Sequence, residues 1–180
     1  MSAPTGRPRV VLVGSMGAGK STVAALLAAQ WQVPARDTDE DIERQQGRSI
    51  SDIFVDDGEQ HFRTLERLAV LEALGSHTGV LALGGGAVLD EGTRAALRGH
   101  RVVFLEVGLS DAVKRVGLGS ARPLLLGNVR AQIKALLDQR LPIYREVAEI
   151  SVRTDGRSAE EVAAEVARAV ADAERTEAAS

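Results

Sequence analysis

The feature that most constrains the fold is a glycine-rich stretch near the amino terminus, Gly14 to Ser21 (GSMGAGKS), which matches the pattern G-x-x-x-x-G-K-[ST]. A short valine-rich run, residues 9–13 (RVVLV), precedes it, and apolar residues at helical spacing follow it in Lys20–Trp31. The pattern binds nucleotide phosphates where it joins a buried strand to a helix. The sequence therefore predicts an α/β fold with a nucleotide at the carboxyl end of its first strand.

Each part of this loop has a chemical role in the prediction. Glycines let the backbone wrap around phosphate oxygens, and the helix N-terminus adds partial positive charge. Lys20 brings a full charge to the β- and γ-phosphates of ATP, and Ser21 offers its hydroxyl to Mg²⁺. The predicted nucleotide-binding residues of the loop are Gly17, Ala18, Gly19, Lys20, Ser21 and Thr22. The alternative is an ordinary glycine-rich turn with a solvent-exposed lysine.

Strand-like and helix-like segments alternate along the rest of the chain. Further apolar runs predict buried strands at residues 79–83, 101–107 and, more weakly, Ile150–Arg153. Another strand should precede Asp37, but Pro34 and Arg36 indicate that it is short or starts late. Such alternation predicts βαβ units, with a mostly parallel sheet covered by helices on both faces.

Two helical patterns are specific enough to predict which residues they bury. Residues 59–74 place a row of apolar side chains near one face, and residues 158–171 open with a capping box, Ser158 with Glu161. The apolar row of the first helix consists of Phe62, Leu65, Leu68, Leu71 and Leu74.

Bulk properties limit the classes of protein to which this chain can belong. The 180 residues suit a single domain spanning 1–180, with a frayed tail at 172–180 and a mobile loop at 117–127. A net charge of −3 without a basic block gives no reason to expect nucleic acid, and there is no cysteine. No apolar segment approaches the ~20 residues of a membrane span. We expect a cytoplasmic monomer with no nucleic-acid or membrane partner.

Two carboxylates follow the expected second strand, in Asp37-Thr38-Asp39. They should lie at the same end of the sheet as the phosphate loop, where ligands of open α/β sheets bind. One carboxylate could face Mg²⁺ while the other faces a substrate hydroxyl. The alternative is a helix N-cap, because Asp and Thr are both favoured there, and the two roles are compatible.

Three consecutive glycines, Gly84, Gly85 and Gly86, directly follow the predicted strand at 79–83. Such a run is costly in conformational entropy, so it makes sense where a ligand needs the backbone itself. A plain turn is the alternative.

Three arginines are candidates for binding an anion: Arg63 on the helix at 59–74, Arg122 in the loop at 117–127, and Arg140. Most arginines are solvated surface charges or salt-bridge partners, and that reading stays open for each of them. Arg63 follows Phe62 and so lies at the rim of an apolar face. A guanidinium can pair with both oxygens of a carboxylate.

Taken together, these motifs resemble the shikimate kinase family. The resemblance runs from about residue 10 to residue 157, and its motifs occur in one order and spacing. They are GSMGAGKST, DTD at 37–39, GRSISDIFVDDGEQHFR at 47–63, LGGGAV at 83–88, RPLL at 122–125 and RLPIYREVA at 140–148.

The resemblance implies a P-loop kinase of the nucleoside-monophosphate-kinase type: a three-layer α-β-α sandwich with a five-stranded parallel sheet. It also implies a shikimate-binding segment at about 38–66 and a closing lid at about 117–127. The reaction it implies is ATP-dependent phosphorylation of the 3-hydroxyl of shikimate, which gives shikimate 3-phosphate and ADP on the pathway to chorismate and the aromatic amino acids.

The resemblance also implies a role for individual residues. Asp39 should bind the ring hydroxyls, including the one that attacks, while Arg63 and Arg140 hold the carboxylate and the backbone of Gly84, Gly85 and Gly86 faces shikimate. Arg122 should reach the transferring phosphoryl group from the lid, completing a catalytic set with Lys20 and Asp39. Asp37 should approach Mg²⁺ through water. Adenine should lie between Arg115 and the segment near Arg157.

Three other functions are compatible with a phosphate loop. A gluconate kinase would share the loop and the lid, but Asp37–Asp39, Arg63 and the triple glycine argue against it. A nucleotide-binding switch would need neither Asp39 nor the arginine pair. A family member that has lost catalysis would be expected to lack Lys20, Asp39 or Arg63, and all three are present.

Overall fold

The structure, a computed structural model, describes residues 6–119 and 128–180. Arg122 and positions 120–127 of the predicted lid lie outside the described residues. The helix before them runs through Leu109–Gly119, so the predicted loop at 117–127 begins with three helical residues.

Five strands form one parallel sheet in the described part of the chain: β1 Val10–Val13, β2 Ala35–Asp37, β3 Val80–Ala82, β4 Val102–Glu106 and β5 Ile150–Arg153. Their order across the sheet is β2-β3-β1-β4-β5. In the register of the sheet, Leu12 lies opposite Ala82 on one side and Val103 on the other. The predicted five-stranded parallel sheet is therefore confirmed.

Helices cover both faces of this sheet, because side chains alternate between the two faces along each buried strand. The helices are α1 Lys20–Trp31, α2 Thr38–Gln46, α3 Ile50–Asp57, α4 Glu59–Ser76, α5 Glu91–Leu97, α6 Leu109–Gly119, α7 Val129–Val147 and α8 Ala159–Ala178, with a 3₁₀ turn at Ala87–Leu89. Val10 and Leu12 of β1 pack with buried residues of α1 and α8, while Val11 and Val13 pack with those of α4, α5 and α7. The predicted three-layer sandwich is confirmed.

The second strand is short, as Pro34 and Arg36 predicted. It has three residues and lies at the edge of the sheet, with Pro34 just before it. Arg36 leaves the strand to pair with Asp41 at 2.6 Å and with Glu72 at 2.5 Å, so it ties β2 to α2 and α4. These contacts hold the end of β2, and with it Asp37, beside β3, the strand with which β2 pairs.

The predicted buried row on α4 was wrong for two of its leucines. Leu68 and Leu71 are 57% and 44% exposed, whereas Glu66 and Ala69 are buried. A strict spacing of three residues drifts around a helix of 3.6 residues per turn, so the row leaves the buried face after Leu65 and returns to it at Leu74. The carboxylate of Glu66 is buried on the face of α4 that the pattern assigned to leucines.

The carboxyl-terminal segment also differs from its prediction. Residues 172–180 were expected to fray, but α8 continues to Ala178. Glu174 pairs with Arg9 at 3.2 Å and Glu177 with Arg101 at 2.6 Å, which anchors the last turns to the strands. The predicted capping box at the start of α8 is confirmed. Among residues 6–119 and 128–180, no helix has the length and apolar character that crossing a membrane requires.

Candidate functional site

The phosphate loop, the two aspartates and the triple glycine follow β1, β2 and β3, and therefore meet at one edge of the parallel sheet. A cleft of about 600 Å³ opens there. It brings together residues that are up to 124 positions apart, from Met16 to Arg140. Of the predicted site residues it is lined by Gly17, Gly19, Lys20, Ser21, Thr22, Asp37, Asp39, Arg63, Gly85, Gly86 and Arg140.

The phosphate loop has the geometry that its glycines predict. Gly17 and Gly19 have φ angles of 81° and 86°, a backbone conformation that residues with a side chain rarely adopt. Gly19 is the N-cap of α1. Lys20 folds over the loop and donates to the carbonyl oxygens of Gly14 at 2.7 Å and Ser15 at 3.0 Å. Burial lowers the pKa of Lys20 to about 8, although Asp39 and Asp37 oppose that shift. An anion in the loop would favour the charged ammonium.

Asp37 has the capping role that the sequence offered as an alternative, and it also contacts the phosphate loop. It is the N-cap of α2, because its Oδ1 accepts from the backbone N–H of Asp39 at 2.8 Å. Its Oδ2 accepts from the Ser21 hydroxyl at 2.7 Å. The cap therefore holds a carboxylate oxygen beside the hydroxyl of the phosphate loop.

Asp39 lies in the cleft with one oxygen unused. Its Oδ1 is buried and has no hydrogen-bond partner among the described residues. Burial raises the pKa of the carboxyl to about 6, and the nearby charges of Asp37 and Glu66 act in the same direction. A buried acceptor without a partner is rare in proteins and points to a donor supplied by a ligand.

Arg63 reaches the cleft from α4 and is oriented by two carboxylates. Its Nη1 donates to Glu66 Oε1 at 2.8 Å, and its Nη2 donates to Glu59 Oε1 at 3.3 Å. Burial raises the pKa of Glu66, and the contact with Arg63 opposes that rise. Sequence reasoning missed Glu66, although its position three residues after Arg63, on the same side of the helix, was a usable signal.

Arg140 reaches the cleft from α7 on the other side. Its Nε is buried and has no partner within the described part of the chain. One helical turn later, the buried Tyr144 donates its hydroxyl to the Gly85 carbonyl at 2.5 Å, a contact that sequence reasoning also missed. The spacing of four residues puts both side chains on one face of α7.

The triple glycine also meets a steric requirement that the sequence did not predict. A Cβ at Gly84 would lie 3.0 Å from the Asp39 carboxyl carbon, and a Cβ at Gly86 would lie 2.7 Å from the guanidinium carbon of Arg63. The glycines therefore make room for charged side chains of the protein itself. Only Gly85 and Gly86 line the cleft, while Gly84 packs behind it against Asp39.

A second cavity of about 200 Å³ lies on the other side of the phosphate loop. Arg115 lines it and donates to the Gly17 carbonyl at 2.9 Å and to Thr154 Oγ1 at 3.2 Å. Arg157 lines it as well, and its guanidinium is occupied by the carbonyls of Arg153 and Glu161. The other lining residues are Ala18, Gly19, Thr22, Val23, Thr154, Ala159 and Val162.

The comparisons with known proteins agree with this geometry. A family model described as shikimate kinase matches residues 16–171. A shikimate kinase of Thermobifida fusca is 59% identical over 162 residues, which cover 90% of this chain and 94% of that protein.

Solved structures give the same result. The shikimate kinase of Acinetobacter baumannii in complex with shikimate superposes with a TM-score of 0.85 at 35% identity, covering 93% of this chain and 94% of that one. A gluconokinase of Sinorhizobium meliloti has a TM-score of 0.53 at 21% identity, with 94% of each chain covered, so it shares the fold alone. On its sequence, its fold and the residues that meet in the cleft, the chain belongs to the shikimate kinase family.

Proposed function

We propose that this protein transfers the γ-phosphoryl group of ATP to the 3-hydroxyl of shikimate, giving shikimate 3-phosphate and ADP on the route to chorismate and the aromatic amino acids. The observation that carries the proposal is the single cleft in which the phosphate loop meets Asp39, Arg63 and Arg140. Phosphoryl transfer depends mainly on positioning and charge stabilisation, and this cleft supplies both.

Arg63 and Arg140 would hold the carboxylate of shikimate. They enter the cleft from α4 and α7, and the buried Nε of Arg140 is a donor that awaits an acceptor. Glu66 and Glu59 keep the guanidinium of Arg63 in place before the substrate arrives. The related kinase of Acinetobacter baumannii was solved with shikimate bound, which supports this acid as the substrate.

Asp39 would accept a hydrogen bond from the reacting hydroxyl through its unpaired Oδ1. With a pKa of about 6 the carboxyl is ionised at neutral pH and is basic enough to take the proton as the bond to phosphorus forms. Lys20 lies close enough for its charge to act on Asp39, so the acceptor and donor ends of the cleft meet at these two residues.

Lys20 would bind the β- and γ-phosphates, together with the backbone of Gly17, Ala18, Gly19, Ser21 and Thr22. The Ser21 hydroxyl and the Asp37 carboxylate offer oxygens, the ligands that Mg²⁺ prefers, and already lie 2.7 Å apart. These two residues would hold Mg²⁺. When bound, the ion would neutralise charge on the phosphates.

The base of ATP would occupy the cavity between Arg115 and Arg157. Arg122, in the segment that the structure does not describe, stays a prediction from the sequence, and we propose that it contacts the transferring phosphoryl group. We also propose that residues 1–180 act as a single domain, as a cytoplasmic monomer without nucleic-acid or membrane partners. The weakly acidic composition without a basic block supports the last point.

The test is a coupled assay of ADP release with Mg²⁺ and ATP, with and without shikimate, and with gluconate as the control acid. We expect ADP release that depends on shikimate and does not respond to gluconate. Stimulation by gluconate would indicate the other kinase of this fold. ATP binding without stimulation by either acid would indicate a nucleotide switch or a member that has lost catalysis.

A further inference from the structure

The loop that carries the triple glycine has one carbonyl that its own backbone does not use. The carbonyls of Gly84 and Gly86 accept from the N–H groups of Ala87 and Leu89, both at 3.1 Å. The carbonyl between them, that of Gly85, accepts instead from the hydroxyl of Tyr144 at 2.5 Å. The Tyr144 side chain of α7 therefore fixes the orientation of the peptide between Gly85 and Gly86.

Tyr144 is itself held rigidly. It is 1% exposed, and its ring stacks on Phe104 with 4.9 Å between the ring centroids. Burial raises the pKa of its hydroxyl, so the group stays protonated and remains a donor at neutral pH. It is the only tyrosine of the chain, and it lies one turn after Arg140 on the same helix.

The orientation of this peptide matters because its other end lines the cleft. The C=O and N–H groups of one trans peptide point in opposite directions. Because the Gly85 carbonyl points toward Tyr144, the Gly86 N–H points away from Tyr144. Gly86 lines the cleft, whereas Tyr144 lines a separate cavity. The Gly86 N–H has no acceptor among the residues that the structure describes.

We infer that Tyr144 is a positioning residue for the acceptor site: it orients the peptide between Gly85 and Gly86 so that the backbone N–H and the Arg140 guanidinium meet the acid substrate together. This inference rests on the proposed function. Helix α7 would then contribute twice to the acceptor site: Arg140 supplies a charge, and Tyr144 supplies a hydrogen bond to the backbone.

The test is Tyr144→Phe, which keeps the ring and its stacking and removes only the hydroxyl. The Michaelis constant for shikimate rises about three- to tenfold, the change expected for one lost hydrogen bond, because the loop peptide is free to turn. The Michaelis constant for ATP and kcat stay within twofold of wild type, since the contact contributes to acceptor binding in the ground and transition states alike.

The control is Val166→Ala, which cuts into the core on the opposite face of the sheet and lowers the midpoint of urea unfolding without contacting the cleft. It leaves both Michaelis constants unchanged. Tyr144→Phe with an unchanged constant for shikimate, or with equal rises for shikimate and ATP, overturns the inference while the wild-type assay still supports the function. Wild-type protein without shikimate-dependent turnover removes the function and the inference together.

Discussion

The nucleotide end of the cleft is formed by consecutive residues of one loop, whereas the acceptor end is formed by side chains from elements far apart in the chain. Residues 14–22 supply the phosphate loop, and Lys20 finds its hydrogen-bond partners within that same loop. Asp39, Arg63 and Arg140 come from α2, α4 and α7. The first end depends on local backbone geometry, and the second depends on how the helices pack.

The two ends also differ in how completely their polar groups are satisfied. At the acceptor end, Asp39 Oδ1 and Arg140 Nε are buried without partners among the described residues. Such groups cost stability in the free protein and gain their partners when a substrate binds. The acceptor end is therefore preorganised at the expense of stability.

Lys20→Ala should cause the largest loss, because it removes the only lysine among the described residues that line the cleft, and with it the charge at the transferring phosphate. We expect kcat/KM to fall by about 10³-fold or more. The measurement is ADP release in the coupled assay. Lys114→Ala, which changes an exposed lysine of α6, is the control and should behave like wild type. Activity near that of wild type would contradict the assignment of the phosphate loop.

Asp39→Asn should lower kcat by about 10²-fold or more, because the amide keeps the shape of the side chain but cannot accept the proton. The pH profile of the wild-type protein gives a second measurement. Since the pKa of Asp39 is about 6, kcat/KM for shikimate should fall as the pH drops below 6. A profile that stays flat down to pH 5 would show that the Asp39 carboxylate is not needed.

The same substitution should stabilise the protein in the absence of ATP and Mg²⁺. The folded-state pKa of Asp39 is about 6 and the unfolded value is 3.8, so folding binds a proton between these pH values and stability falls as the pH rises through them. Asp39→Asn should therefore raise the free energy of unfolding at pH 7.5 by about 1–3 kcal/mol. The gain should vanish near pH 4, as urea unfolding at both pH values would show.

Arg63→Ala should weaken shikimate binding about 30- to 100-fold while the Michaelis constant for ATP stays near its wild-type value. The substitution removes a guanidinium that would pair with the shikimate carboxylate, which should cost about 2–3 kcal/mol of binding free energy. It also leaves the buried Glu66 without its ion pair. Arg67→Ala is the matched control, because Arg67 is an exposed arginine of the same helix. Equal effects of the two substitutions on shikimate affinity would remove Arg63 from the acceptor site.

Gly84→Ala tests whether the glycine makes room for Asp39. The new methyl group would overlap the Asp39 carboxylate and approach Glu66 Oε2 to 3.0 Å, so both side chains must move. We expect kcat to fall about tenfold, with nucleotide binding retained, because a small misplacement of a catalytic group is costly. Gly75→Ala, in α4 with open space around the new Cβ, is the control. Unchanged kcat in Gly84→Ala would refute the steric role.

Thr154→Val should have the smallest effect, and it acts on the nucleotide side alone. The substitution keeps the shape of a buried side chain but removes the hydroxyl that accepts from Arg115 at 3.2 Å and donates to the Glu106 carbonyl at 3.1 Å. The Michaelis constant for ATP should rise about two- to fivefold, and that for shikimate should not change. The opposite pattern would show that the two ends of the cleft are not separable.

Site residues could be predicted where their type and spacing in the sequence are enough to identify them, and not where their role depends on how the helices pack. The glycines, the lysine and the hydroxyl of the phosphate loop lie within one turn of the chain, so their spacing in the sequence was enough to predict the loop. Glu66 was missed because periodicity assigned α4 a face of leucines, and burial of a carboxylate is decided by the arginine that pairs with it. Tyr144 was missed because its partner, a backbone carbonyl, has no sequence signature.

The alternation of strands and helices, the parallel sheet, the phosphate loop and the family could all be inferred from the sequence, because each rests on short-range patterns or on motifs whose order and spacing are read along the chain. The packing of the folded chain was needed to show that Gly84 and Gly86 leave space for Asp39 and Arg63, that Glu66 is buried, and that α8 extends to Ala178. These features depend on distances between residues that are remote in the chain, and the packing of helices on the sheet determines those distances.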